Sequence, residues 1–232
     1  MTIIEGIHDL QKYDFTDTPS NLLMQRRIHK VLMICSNYDN YMLEEDGRID
    51  EQIFNEYVSL NLSLPPSFVQ TYNAEDGFRI LEEGKIDLVI SMLSLRGTDV
   101  FALAKMIKAR HEHIPIVVLT YFSREVSLRL QGEDLSAIDY VFCWLGDASL
   151  ILAIIKLIED KMNADFDIEN IGVQAIILVE NSIRYISSYL PNIYRIVLLE
   201  SIDFQREALN EHQRMLKMRG RPKILLANNY ND

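Results

Sequence analysis

Residues 86–120 read IDLVISMLSLRGTDVFALAKMIKARHEHIPIVVLT, and their order decides the fold. Two near-continuous apolar runs, 86–93 and 114–120, flank a helical segment, 99–111, with Asp99 placed as its N-cap. A strand with no polar alternation is buried on both faces, as in a parallel sheet covered by helices. Working outward, VLMIC (31–35), SFVQTY (67–72) and IDYVFCWL (138–145) supply three more such strands. IDEQIFNEYVSLNL (49–62) has helical spacing at Ile53, Tyr57 and Leu60 and stops at Pro65-Pro66. AEDGFRILEEG (74–84) ends on Gly84, SREVSLRLQGE (123–133) is a weaker helix, and SLILAIIKLIEDKMN (149–163) closes the unit. The stretch SNYDNYMLEEDGR (36–48) reads as a long loop, residues 1–20 as a loosely held arm, and 22–30 as a short helical lead-in. Five strands separated by helices predict a doubly wound parallel sheet of flavodoxin-like order 2-1-3-4-5. Its crevice lies at the C-terminal ends of the strands.

The chain then begins to repeat itself. KVLMICSN (30–37) aligns with QAIILVEN (174–181), and PSFVQTYNAED (66–76) with PKILLANNYND (222–232). A long helix, 183–219, kinked near Pro191, connects the second pair. The expected organisation is an arm (1–27), a complete unit (28–163) and a partial second copy with a long helix (171–232). A half-sheet cannot bury its own faces, so it docks on the first unit, pairs with a second subunit, or continues in a longer protein.

Composition limits the function classes. Among 232 residues, 48% are hydrophobic and 25% charged, with a formal net charge of −11. That charge disfavours nucleic acid and anionic membrane surfaces. No apolar run reaches the roughly 18–20 residues of a membrane span, and the N-terminus lacks the order of a signal peptide, so the cytoplasm is expected. Cys35 and Cys143 fall in apolar runs and read as buried core thiols. The basic run HQRMLKMRGRPK (212–223) sits at a helix end, where cations complement the dipole. Asp39, Glu44, Glu45 and Asp46 precede Gly47, but Met42 and Ile53 occupy the outer positions of a calcium loop; a solvated acidic loop is the better reading. His111 and His113 read as surface residues.

The strand ends resemble those of response-regulator receiver domains, over about 28–163 and again from 173. The resemblance implies a phosphoryl-accepting Asp ending strand three and an Mg²⁺-binding acidic pair after strand one. It also implies a hydroxyl after strand four and a lysine after strand five. The corresponding positions here hold Met92, Ser36-Asn37, Thr120 and Cys143, with Trp144 at the usual proline. A thioether neither accepts a phosphoryl group nor binds Mg²⁺ well. Only the hydroxyl survives, so the unit reads as a pseudo-receiver, and a non-enzymatic one. In the second copy Glu180-Asn181 stand at the acidic pair, and the strand-three acceptor would fall beyond Asp232.

Several segments, among them LEEDGRIDEQIFNEYVSLNL and GEDLSAIDYVFCWLGDASLILAIIKLIEDKMN, are similar more narrowly to a group of large bacterial proteins. It is their N-terminal region that is similar; they end in a phosphoenolpyruvate synthase or pyruvate phosphate dikinase-type domain. That resemblance implies a parent handling ATP and pyruvate or phosphoenolpyruvate, although no catalytic histidine or nucleotide-grasp motif is visible in this chain. The expected role is regulation by contact with a protein or domain partner, with no cofactor and no bound metal. The alternatives are the front part of such an enzyme, or a homodimerising assembly module. Tyr121, Phe122, Tyr140, Phe142 and Trp144, around strands four and five, are read equally as core or as interface.

Overall fold

A computed structural model describes residues 23–95, 97–121, 132–206 and 220–227, with the single positions 126 and 130. Five parallel strands form one sheet: β1 (Lys30–Ile34), β2 (Ser67–Thr71), β3 (Leu88–Met92), β4 (Ile116–Thr120) and β5 (Tyr140–Cys143). Their order is β2-β1-β3-β4-β5, as the apolar runs require. Alternate residues feed two cores. Val31, Met33, Leu88 and Ile90 join one apolar cluster, and Leu32, Ile34, Val89 and Val118 the other. Both faces of β1, β3 and β4 are thus removed from water, which is why their sequences show no polar alternation.

The expected loop after β1 is instead a helix, α1 (Asn37–Leu43). Ser36 accepts a hydrogen bond from Asp39 N at 3.1 Å, and the Asp39 carboxylate accepts from Ser36 N at 3.3 Å. This capping box satisfies two donors that otherwise oppose helix initiation. Its two polar members disguise the helix in the sequence. Then follow α2 (Ile49–Ser59), α3 (Ala74–Glu83), capped by Asn73, and α4 (Val100–Arg110), capped by Asp99 through Phe101 N at 3.0 Å. Most of the weaker helix at 123–133 lies outside the described residues.

Helix α5 (Ser149–Glu169) runs six residues past its expected end. Leu150 through Ile158 are buried all round, and the burial continues through Glu159, Asp160, Asn163 and Asp167. A helix hydrophobic on every side must be covered on every side. The sheet covers one side. The other is covered by a second, smaller sheet and its helix, β6 (Ala175–Val179), α6 (Ile183–Arg206) and β7 (Lys223–Ala227), with β6 and β7 paired in parallel. Ile186, Leu190, Tyr194, Leu198 and Ile224 join the same apolar cluster as α5. The half-sheet therefore docks on the first unit. Pro191 lies within α6, and the expected helix beyond Arg206 lies outside the described residues.

Residues 23–28 form no helical lead-in. They lie along α5, and every second backbone N–H is taken up by its side chains. Met24 N donates to Asp167 Oδ2 (3.3 Å), Arg26 N to Asn163 Oδ1 (2.9 Å) and Ile28 N to Glu159 Oε1 (3.1 Å). A segment satisfied this way has no need of helical hydrogen bonds.

Candidate functional site

The crevice at the C-terminal end of the first sheet is built from the last residues of its strands. Register aligns Met92 with Leu119 and Thr120 with Cys143. Met92, Thr120 and Cys143 are all buried. Met92 belongs to the apolar cluster that also holds Cys35, Leu119 and Trp144. The Thr120 hydroxyl donates to Tyr121 O at 3.1 Å. Cys143 N donates to Ser187 Oγ on α6 at 2.7 Å, and that hydroxyl donates in turn to Ile183 O at 2.6 Å. The outer edge of β5 thereby meets α6.

The hydrogen bonds correct one assignment. Cys35 N donates to Thr71 O, and Glu180 N to Ala227 O, both at 3.1 Å. Ser67 N donates to His29 O (2.9 Å), and Lys223 N to Gln174 O (2.8 Å). These matched bonds equate Cys35-Ser36 with Glu180-Asn181, one residue away from the sequence alignment. The pair following β1 is Cys35-Ser36, and Asn37 is the first residue of α1. The slip arose because the shared Asn dominated an alignment of short apolar runs. Neither Cys35 nor Ser36 is a carboxylate.

Asp39 is a buried carboxylate near this point, but it is engaged in the α1 capping box, with Ser36 Oγ donating to it at 2.6 Å. Burial, helped by the negative charges of Asp39 and Glu44, pushes the Cys35 thiol up to about 12. Burial and the charge of Asp39 likewise push Tyr121 up to about 12. Burial also raises Cys143, against the charge of Arg184. Both thiols are free and buried, and both are shifted away from thiolate reactivity. Glu44 is not a solvated loop acid: it accepts from Gln70 Nε2 (3.0 Å), Asn40 Nδ2 (3.2 Å) and Ile49 N (3.3 Å). Among the described residues no group of three or more His, Cys, Asp or Glu is placed to hold a metal ion. His113 is exposed and His111 half-buried.

The aromatic residues near strands four and five divide. Phe142 and Trp144 are core, Tyr121 and Tyr140 pack partly buried against it, and Phe122 lies outside the described residues. After β6, Glu180 and Asn181 line a cleft of about 350 Å³ against Tyr140, Val141, Ile183 and Leu226. Glu180 Oε1 accepts from Ser182 N at 2.8 Å.

Sequence reading missed the seam that joins the two units. Asp160, wholly buried, receives both terminal nitrogens of Arg221 (2.8 and 2.9 Å), Tyr194 OH (2.9 Å) and Ile224 N (3.0 Å). Lys223 Nζ lies 2.7 Å from Asp167 Oδ2, and Lys156 Nζ donates to Glu159 Oε2 at 2.8 Å. Arg221 and Lys223 therefore form buried ion pairs and do not face a helix end, as the basic run 212–223 suggested; residues 212–219 lie outside the described residues. Burial works against the Arg221 charge, yet the Asp160 carboxylate more than offsets it, and the guanidinium is held above its usual range. Lys223 is lowered by burial first and by the charge of Arg221 second. The signal was present in KLIEDKMNADFDIE (156–169), where acids and amides recur along a helix expected to be buried.

No family model matches the chain, and no curated protein matches it. Among solved structures, similarity is found to a signal receiver domain of a putative Luxo repressor protein from Vibrio parahaemolyticus. That match has 15% identity over 62% of this chain and 99% of that one, with a TM-score of 0.43. A two-component response regulator from Clostridium difficile matches at 23% identity, over 58% and 98%, with a TM-score of 0.43. The REC domain of AraT from Geobacillus stearothermophilus matches at 16%, over 60% and 98%, with a TM-score of 0.44. The strand order β2-β1-β3-β4-β5 is itself that of a flavodoxin-like, receiver-like fold. None of these matches is to a phosphoenolpyruvate synthase or a pyruvate phosphate dikinase.

Proposed function

We propose that this chain is a regulatory module in which a receiver-like unit has exchanged phosphoryl chemistry for fixed contact with a second unit. The observation that carries the reading is the chemistry of the strand ends. Met92, Cys35, Ser36 and Cys143 offer neither a carboxylate acceptor, nor a dication site, nor a cation for phosphoryl oxygens. Residues 28–163 act as the platform and 171–232 as the beginning of the unit it carries, with α5 as the shared wall. Signals pass by contact, through α5 and α6. Incubation with acetyl phosphate and Mg²⁺, followed by intact-mass measurement, tests this. The mass stays unchanged; a gain of one phosphoryl group on a residue of the first unit overturns the proposal.

A second reading places the chain at the front of a larger phosphotransferase that handles ATP and pyruvate or phosphoenolpyruvate. The open edge of β6 favours a longer polypeptide. Immunodetection of the endogenous polypeptide separates the two readings, since a free-standing adaptor runs near 27 kDa. A homodimeric assembly module is the third; a clean monomer on sedimentation at micromolar concentration counts against it.

A further inference from the structure

The outer strands of this molecule are guarded, with one exception. The edge of β5 is closed by Ser187, that of β7 by the Asp160 carboxylate on Ile224 N, and β2 carries Ser67 and Gln70 beside Pro65-Pro66. Side chains, charges and prolines of this kind keep edges from pairing with stray strands. Among the described residues, strand β6 has none of them. Its sequence AIILV is that of a strand buried on both faces, yet Ile177 is 67% exposed and Val179 52%. Among the described residues its one strand neighbour is β7.

Helix α6 tells the same story. Leu190, Tyr194 and Leu198 on one face are buried with α5. Tyr185, Tyr189, Ile196 and Leu199, at i, i+4, i+11 and i+14, form an apolar stripe on the opposite face and are exposed. The rings of Tyr185 and Tyr189 stack with centroids 6.0 Å apart. A helix apolar on both sides is one that becomes covered on both sides.

We infer that the free edge of β6 receives a parallel strand from the same polypeptide beyond residue 232, the counterpart of β3 in the first unit. The inference rests on reading 171–232 as the start of a second copy. The matched hydrogen bonds make β6 the counterpart of β1, and the far edge of β1 is occupied by β3, with Val31 opposite Leu88 and Ile34 opposite Ser91. A right-handed crossover from β7 returns the chain to that side of β6. A second copy of this chain related by a two-fold axis would most simply bring β6 against β6 antiparallel, which is not the pairing of β1. Because Glu180 N faces β7, alternation along the strand turns Leu178 N and Ile176 N toward β7 as well. Ile177 N and Val179 N point to the free edge.

Amide exchange on the purified endogenous polypeptide, compared with the 232-residue chain, tests this directly. The endogenous product runs above 27 kDa; its Ile177 and Val179 amides are protected at least tenfold more than in the 232-residue chain, where Leu178 is already protected. A product near 27 kDa with both amides unprotected overturns the inference. So does a 27-kDa dimer that Ile177→Lys converts to a monomer, which makes a second copy the occupant. None of these outcomes depends on whether the first unit accepts a phosphoryl group, so the two proposals fail separately.

Discussion

Strands β1 and β6 have nearly the same chemistry, KVLMI and AIILV, equivalent hydrogen bonds to their partners, and opposite surroundings. Val31 to Ile34 are at most 1% exposed, whereas β6 exposes most of its side chains. One lies in the middle of a five-stranded sheet and the other in a two-stranded one. Strand character is written locally in the sequence, but burial depends on what else the chain brings. The same contrast separates the two sides of α6, one packed on α5 through Leu190, Tyr194 and Leu198 and the other exposed.

The contrast can be broken hardest at its anchor. Asp160→Ala leaves Arg221 charged and buried without a partner, with Tyr194 OH and Ile224 N also stranded. The expected loss is about 3–5 kcal/mol, read by chemical denaturation and accompanied by proteolytic release of residues 171–232. A variant that keeps full stability would show that the seam does not hold the units together.

Next in size is a matched pair of truncations. Leu32→Ala, in the covered strand, is expected to cost roughly 2–5 kcal/mol through the cavity it leaves. Ile177→Ala, in the open strand, should stay within about 0.5 kcal/mol, as exposed substitutions do. Equal losses at the two positions would mean that β6 is covered in solution.

Smaller still, Ser187→Ala removes the acceptor for Cys143 N. About 1–3 kcal/mol is expected, because a buried backbone donor loses its partner. Exchange of the Cys143 amide should quicken with it; an unaltered rate would show that some other group closes that edge.

The smallest effect concerns pH. Cys35 stays protonated in the fold until about 12 but ionises near 9 once unfolded. Its contribution to stability is therefore whole below pH 9 and drains away between pH 9 and 12. Cys35→Ala should flatten that part of the stability profile, measured as the difference in unfolding free energy between the two proteins. Parallel profiles would place Cys35 in a more solvated setting.

The main sheet was legible because uninterrupted apolar strands leave few topologies open. The order of five strands, the caps at Asp99 and the end of α3 followed from residue types alone. Helix α1 was not legible, because Ser36 and Asp39 look like loop residues until their reciprocal bonds are seen. The strand ends were legible at Met92, Thr120 and Cys143, the last residues of β3, β4 and β5, where the apolar patterns are long enough to hold the register. That register slipped by one residue at Ser36-Asn37, where only a short apolar run fixed the count. The seam of Asp160, Asp167, Arg221 and Lys223 was only half legible: its acids recur along 156–169, but their partners lie some 60 residues away in the chain.

The central claim is that the first unit has no phosphoryl site, and Trp144 reports on it. It is the only tryptophan of the chain and is buried beside Cys143 at the end of β5. A fluorescence titration with beryllofluoride in the presence and absence of Mg²⁺ should show no saturable change. A saturable, Mg²⁺-dependent change would mean that the strand ends still assemble a working receiver site, and the account would be wrong.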